Sequence, residues 1–243
     1  GIGYRVQGIE DINKIAAAFE ILHSGFLIHD DIEDKGLMRR DKKSLYNVLG
    51  NNHYGISQAI NLGDISLYLP IKIITESSFS DRVKIKALGH FSQMVINTGW
   101  GQVMDVWLTQ LDHTSEGPAR SADGSPVETQ EGLLKSPLDS FPSEVTEFIN
   151  INKTAKYTVA GPMQVGAILA GASEKVVLEL GIFGENAGVA FQIQDDILDK
   201  EVVSVEKSKL KALEYALAAK KSIPKITKNS KMSKLLEQRI DFL

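Results

Sequence analysis

The sequence contains no cysteine. Disulfides and thiolate metal sites are therefore excluded, and a reducing, cytoplasmic setting is expected. It carries no excess of positive charge: the net charge is −4 and the pI near 5.8, so nothing marks a nucleic-acid partner. No stretch approaches the roughly 18 uninterrupted apolar residues of a membrane span. The nearest, 159–172, is broken by Gly161, Pro162, Gln164, Gly166 and Gly171. No signal peptide is expected, and an oily substrate is expected to be met from the aqueous side. Alternating β-branched runs are scarce and Asn-Gly hairpin signals are absent. Proline is scarce too: four of the seven, Pro118, Pro126, Pro137 and Pro142, fall in one short stretch, which leaves the rest free to build long helices.

With 243 residues the chain is long enough for one sizeable domain, expected to span residues 1–243. Apolar residues recur at three- and four-residue steps over 9–34, where Ile12, Ile15, Phe19, Leu22 and Ile28 predict a helix. Further helices are predicted over 56–77, with a kink or break at Pro70, and over 83–108 behind the cap-like Ser80-Asp81. A surface excursion is predicted over 109–143. Helices resume over 143–170, interrupted at Gly161-Pro162, then over 173–199, 205–222 and 232–242. The expected fold is an all-α bundle with a polar site between its core helices.

Two acidic clusters share one design: Asp30-Asp31-Ile32-Glu33-Asp34 and Asp195-Asp196-Ile197-Leu198-Asp199. Residues four apart on a helix lie about 40° apart around its axis, so Asp30 and Asp34 can aim at one point, as can Asp195 and Asp199. Carboxylates this close repel unless a cation sits between them. Hard cations such as Mg²⁺ take oxygen ligands and leave positions for substrate phosphates. Arg39 and Arg40 follow the first cluster, and paired arginines suit phosphate groups. Acid and base together make sense once a metal diphosphate is placed there. Two facing helices with metal and phosphate between them are expected.

The surrounding residues carry a resemblance. In order come Glu20-Ile21-Leu22-His23, Leu27-Ile28-His29-Asp30-Asp31 through Asp34, then Arg39-Arg40 and Ser44. Ala59-Ile60-Asn61-Leu62-Gly63-Asp64, Gly101-Gln102-Val103-Met104-Asp105, Lys153-Thr154, and Phe191-Gln192 through Asp199 follow. The chain resembles the trans-isoprenyl diphosphate synthases of the polyprenyl synthetase family, most like the geranylgeranyl and farnesyl diphosphate synthases. That implies an isoprenoid synthase-type helical bundle with a central active-site cavity. It also implies a homodimer that condenses isopentenyl diphosphate with an allylic diphosphate into a linear C15 to C20 product. By the same resemblance about three Mg²⁺ ions serve each site. Asp30 and Asp34 would hold two of them, and Asp195, with Asp199 nearby, a third. Arg39 and Lys153 would grip the allylic diphosphate, and His23 and Arg40 would contact isopentenyl diphosphate. Thr154 and Gln192 would face the developing allylic cation. Gln102 and Asp105 either touch substrate or orient other side chains. Gly25 and Phe26 would form the chain-length gate, large at Phe26 and open at Gly25.

Two family elements have no counterpart. A Gly-Lys-x-x-Arg-Pro segment is not found ahead of His23, and Lys200 runs directly into Glu201-Val202-Val203 where the family carries a glycine- and lysine-containing loop. Omission of those segments from the sequence is expected, the alternative being a deletion that leaves a non-catalytic subunit of a heteromeric synthase. A class I terpene cyclase is the other alternative. Its second metal motif is normally of Asn/Ser/Glu type, unlike residues 195–199.

Overall fold

The computed structural model describes residues 3–115, 143–198, 202 and 204–241. The chain is all-α but for one two-residue hairpin among the described residues. Its elements are α1 (Gly3–Glu33), β1 (Met38–Arg39), β2 (Lys42–Lys43), α2 (Leu45–Val48), α3 (His53–Glu76) and α4 (Asp81–Ser115). Then follow α5 (Ser143–Ile149), a π-helical segment (Asn150–Ala160), α6 (Gly161–Leu169), α7 (Glu174–Leu198), α8 (Val205–Ile226) and α9 (Ser230–Asp241). The helices form two compact units, Gly1–Ser92 with Val165–Ala172, and Gln93–Gln164 with Ser173–Leu243.

In the first unit α1 buries Ile15, Ala18, Phe19 and Leu22, a three-and-four spacing that places them on one face. Phe19 meets Phe91 edge-on, ring centres 5.9 Å apart. The α1–α3 contact is close because small residues face it. A Cβ on Gly25 would lie 2.6 Å from Cβ of Ser66, and one on Gly63 would strike the His29 ring. Asn52 starts α3 by accepting a hydrogen bond from Gly55 N at 3.0 Å. Pro70 does not break α3; its side chain is fully buried, and that packing outweighs the lost backbone donor.

In the second unit α7 is the central element. By length and composition it could span a bilayer, but most of its apolar window is buried in the protein, as a core helix requires. Gly184 and Gly188 form a four-residue row on it. A Cβ at either would collide with Ala160 or Ala155 of the π segment. Two cores result. Ala155, Val189, Ile193 and Ala212 form one, and Phe183, Ala187, Ala219, Ile223, Leu236 and Ile240 the other. Lys220 Nζ donates to Asp241 at 2.5 Å and ties α8 to α9.

Two boundaries differ from expectation. Helix α4 continues to Ser115, past the predicted start of the excursion at 109, and residues 116–142 lie outside those described. The helix from Ser143 to Leu169 is not interrupted at Gly161-Pro162. Gly161 N still bonds to the Lys156 carbonyl, five residues back. Pro162 therefore sits where hydrogen bonding changes from five-residue to four-residue steps, a place that absorbs a missing donor.

Candidate active site

The first cluster sits at the end of α1. The Asp34 N–H bonds to the Asp30 carbonyl at 2.9 Å, so one helical turn still separates the two carboxylates. Helix α1 then stops in a Schellman arrangement: Lys35, at φ 55°, bonds back to Ile32, and Gly36 bonds to Asp31 O at 2.8 Å. The chain next forms the β1–β2 hairpin, with Arg39 opposite Lys42. Its two turn residues, Arg40 and Asp41, have φ of 50° and 61°. This is the type I′ geometry that matches strand twist, adopted here without glycine at a cost of about 1–2 kcal/mol per residue.

The hairpin returns Arg39 to the helix end. Its Nε donates to Asp31 Oδ1 and its NH2 to Asp30 Oδ2, each at 2.7 Å. Asp31 is buried, at 6% exposure, while Asp30 is partly open. Burial alone would lower the Arg39 pKa, but Asp31 and then Asp30 outweigh it and hold the guanidinium above its ordinary value. His23 lies two turns earlier on α1. Its pKa is lowered, chiefly by burial; Glu20 opposes the shift, and the nearby charges of Arg40 and Arg39 add to it. The structure thus brings His23 within the field of the arginine pair.

Gly25 and Phe26 lie between these groups. The side chain missing at Gly25 opens no room toward α3, because Ser66 fills that space. Phe26 is half-buried. His29, which sequence reasoning left without a role, docks α1 on α3. With the proton on Nε2 it donates to the Ile60 carbonyl at 3.2 Å, and the same nitrogen lies 3.6 Å from Asp64.

The second unit holds the other candidates. Lys153 and Thr154 lie in the π segment, a conformation that recurs at functional sites. Lys153 Nζ donates to Asp105 Oδ2 of α4 at 2.5 Å, with both side chains largely buried. A Cβ on Gly101 would strike the Lys153 backbone, so that glycine lets α4 and the π segment approach. Of the two roles open to Asp105, orienting a neighbour is the one this contact fits. Near the end of α7, Gln192 Nε2 donates to Asp196 Oδ1 at 2.7 Å, and Asp195 is exposed. Asp199 lies outside the described residues. A cleft of about 330 Å³ opens on the other side of α7, lined by Ala190, Gln194, Ala212, Ala216 and Ile240 among others. None of the candidate residues lines it.

Among the described residues no group of three or more His, Asp or Glu side chains is placed to hold a metal alone. Mg²⁺ does not require one; it is commonly held by one or two carboxylates together with substrate phosphates and water. An oxygen-only pair one turn apart, as Asp30 and Asp34 provide, fits that ion.

A family model, polyprenyl synthetase, matches residues 3–234. The chain is 31% identical over 199 residues to a short chain isoprenyl diphosphate synthase of Methanothermobacter thermautotrophicus, covering 82% of this chain and 50% of that protein. It is 29% identical over 227 residues to geranylgeranyl pyrophosphate synthase 7, chloroplastic, of Arabidopsis thaliana, covering 91% of this chain and 56% of that one. The chain thus spans about half the length of such relatives. Among solved structures it superposes on geranylgeranyl pyrophosphate synthase from Corynebacterium glutamicum, complexed with isoprenyl diphosphate and magnesium. The TM-score is 0.72 at 18% identity, over 97% of this chain and 78% of that one. The Geoglobus acetivorans synthetase gives a TM-score of 0.71 at 20% identity, over 97% and 83% of the two chains. These likenesses show the fold. With a family model matching nearly its whole length, the chain belongs to the polyprenyl synthetase family.

Proposed function

We propose that the protein is a prenyltransferase that condenses isopentenyl diphosphate with an allylic diphosphate to a linear trans-polyprenyl diphosphate of C15 to C20. One observation carries this most: beside Asp30 and Asp34, one turn apart, a strained hairpin folds Arg39 back onto Asp30 and its neighbour Asp31. A metal diphosphate needs that combination of acid and base, and a solvated helix end does not. Residues 1–243 are read as one polyprenyl synthetase domain, and both aspartate clusters are proposed to serve one reaction.

Asp30, Asp34, Asp195 and Asp199 would hold magnesium. Bound there, magnesium would supply Lewis-acid neutralisation of the departing diphosphate. Arg39 and Lys153 would grip that diphosphate while the allylic carbon–oxygen bond breaks. Thr154 and Gln192 would present oxygen dipoles to the allylic cation. His23 and Arg40 would hold isopentenyl diphosphate while its double bond forms the new carbon–carbon bond. The proton lost from the adduct would pass to the departed diphosphate. Gly25 and Phe26, with Ser66 behind Gly25, would limit chain length. A homodimer is part of the same reading. An exposed stripe on α4, Ile96, Trp100, Val103 and Trp107, offers a second copy an apolar face at three- and four-residue steps.

The test incubates the full-length protein with isopentenyl diphosphate, each allylic diphosphate in turn and Mg²⁺, and sizes the products. Linear C15 to C20 diphosphates are expected. A cyclic hydrocarbon would replace this reading with a terpene cyclase. Turnover seen only after adding a partner subunit would make the chain part of a heteromeric synthase.

A further inference from the structure

Each cluster begins with two adjacent aspartates, and adjacent residues on a helix point about 100° apart. Asp31 is therefore turned about 100° from Asp30, and Asp196 about 100° from Asp195, each set off from the line along which the first and last aspartates aim at one point. In both clusters this second carboxylate holds a neighbouring side chain. Asp31, buried, accepts from Arg39 Nε at 2.7 Å. Asp196 accepts from Gln192 Nε2 at 2.7 Å. The structure assigns Asp31 and Asp196 as positioning residues, which set the site's cation and amide rather than ligate its metals. The inference rests on the proposed function for the identity of the anion bound.

The two contacts do different work. Arg39 is held at Nε by Asp31, and its NH2 reaches Asp30 Oδ2. With a metal held by Asp30, the Nε contact to Asp31 would still hold the guanidinium, and NH2 would be available to a phosphate oxygen. At the second cluster the hydrogen bond decides which end of the Gln192 amide faces Asp196. The nitrogen is turned to the carboxylate, which leaves Oε1, the end with partial negative charge, for a cationic group. Without the Asp196 carboxylate, either end could take that place.

Calorimetry of the full-length protein with Mn²⁺ and inorganic diphosphate tests this without turnover, so failure of the catalytic reading leaves it decidable. Asp30→Asn and Asp195→Asn should lower the number of Mn²⁺ bound. Asp31→Asn and Asp196→Asn should leave that number unchanged. Asp31→Asn should weaken diphosphate binding about tenfold, the scale of one charge-assisted hydrogen bond. Asp31→Ala combined with Arg39→Ala should weaken it no more than Arg39→Ala alone, because a positioning residue has nothing left to position. In steady-state kinetics Asp196→Asn should lower kcat about tenfold with KM for both substrates unchanged. Loss of Mn²⁺ sites in either second-aspartate variant would overturn the assignment. So would additive weakening in the Asp31→Ala/Arg39→Ala pair. Asp196 is partly exposed, so Asp196→Asn is expected to keep the fold, and it tests the assignment independently of the buried Asp31.

Discussion

Asp105→Asn removes one charge from a contact that joins α4 to the π segment. The Asp105 carboxylate and the Lys153 ammonium are 2.5 Å apart, with side chains 19% and 25% exposed. Two unit charges at that distance attract by roughly 6–7 kcal/mol at an effective dielectric near 20. Most of that is cancelled by the water each group gave up, and a hydrogen bond between charged groups is worth about 1.5–3 kcal/mol net. For a chain of this size the loss corresponds to a fall in Tm of roughly 3–12 °C. Thermal unfolding by circular dichroism measures it. Calorimetry with inorganic diphosphate then reads Lys153 directly. An ammonium has three donors, so one can stay on Asp105 while the others meet an anion. Loss of the anchor should weaken diphosphate binding about tenfold. An unchanged Tm would refute the energetic reasoning, and tighter diphosphate binding would show that Asp105 competes for Lys153 rather than orienting it. A double-mutant cycle with Lys153→Met should show strong coupling.

Gly101→Ala places a methyl against the Lys153 backbone, and overpacking of this kind costs about 1–3 kcal/mol; an unchanged Tm would show that α4 and the π segment are not in close contact. Gly25→Ala should cost a similar amount through Ser66, with Gly25→Ala/Ser66→Gly recovering most of the Tm; no recovery would place the clash elsewhere. His23 should titrate below its ordinary 6.5 by NMR, since burial and the arginine charges disfavour its cation. The folded pKa is the lower one, so the unfolded chain binds more protons. Stability tied to His23 is then intact above 6.5 and falls as pH drops from 6.5 through the folded value. Added diphosphate should move the midpoint upward, and a midpoint that ignores the anion would remove His23 from its surroundings.

The helices were legible because their apolar spacing follows burial: Ile15, Phe19 and Leu22 were predicted on one face and pack there. The acidic clusters and their basic neighbours were legible as composition and spacing. The hairpin was not, because its turn is Arg40-Asp41: Asp tolerates a positive φ, but Arg does not favour one and no glycine marks the turn as in Asn-Gly. Without the hairpin, the return of Arg39 onto Asp31 could not be foreseen. Pro70 read as a kink or break and Gly161-Pro162 as an interruption because proline's local cost is visible in a sequence, whereas the packing of Pro70 and the π register at Pro162 are not. The space beside Gly25 was read from one helix alone; the side chain that fills it, Ser66, belongs to α3. Likewise the partners of Lys153 and Arg39 come from 48 and 8 residues away, distances at which one-dimensional spacing carries no information about contact.

The central claim is that both aspartate clusters serve one metal-assisted condensation. Steady-state rates of the full-length protein, Asp30→Ala, Asp195→Ala and the double variant test it most directly, with circular dichroism confirming the fold of each. Each single variant should lose orders of magnitude in kcat, and the double variant should be little worse than the poorer single, as groups acting in one transition state are strongly non-additive. Near-normal activity in either single variant, or losses that multiply in the double, would contradict it.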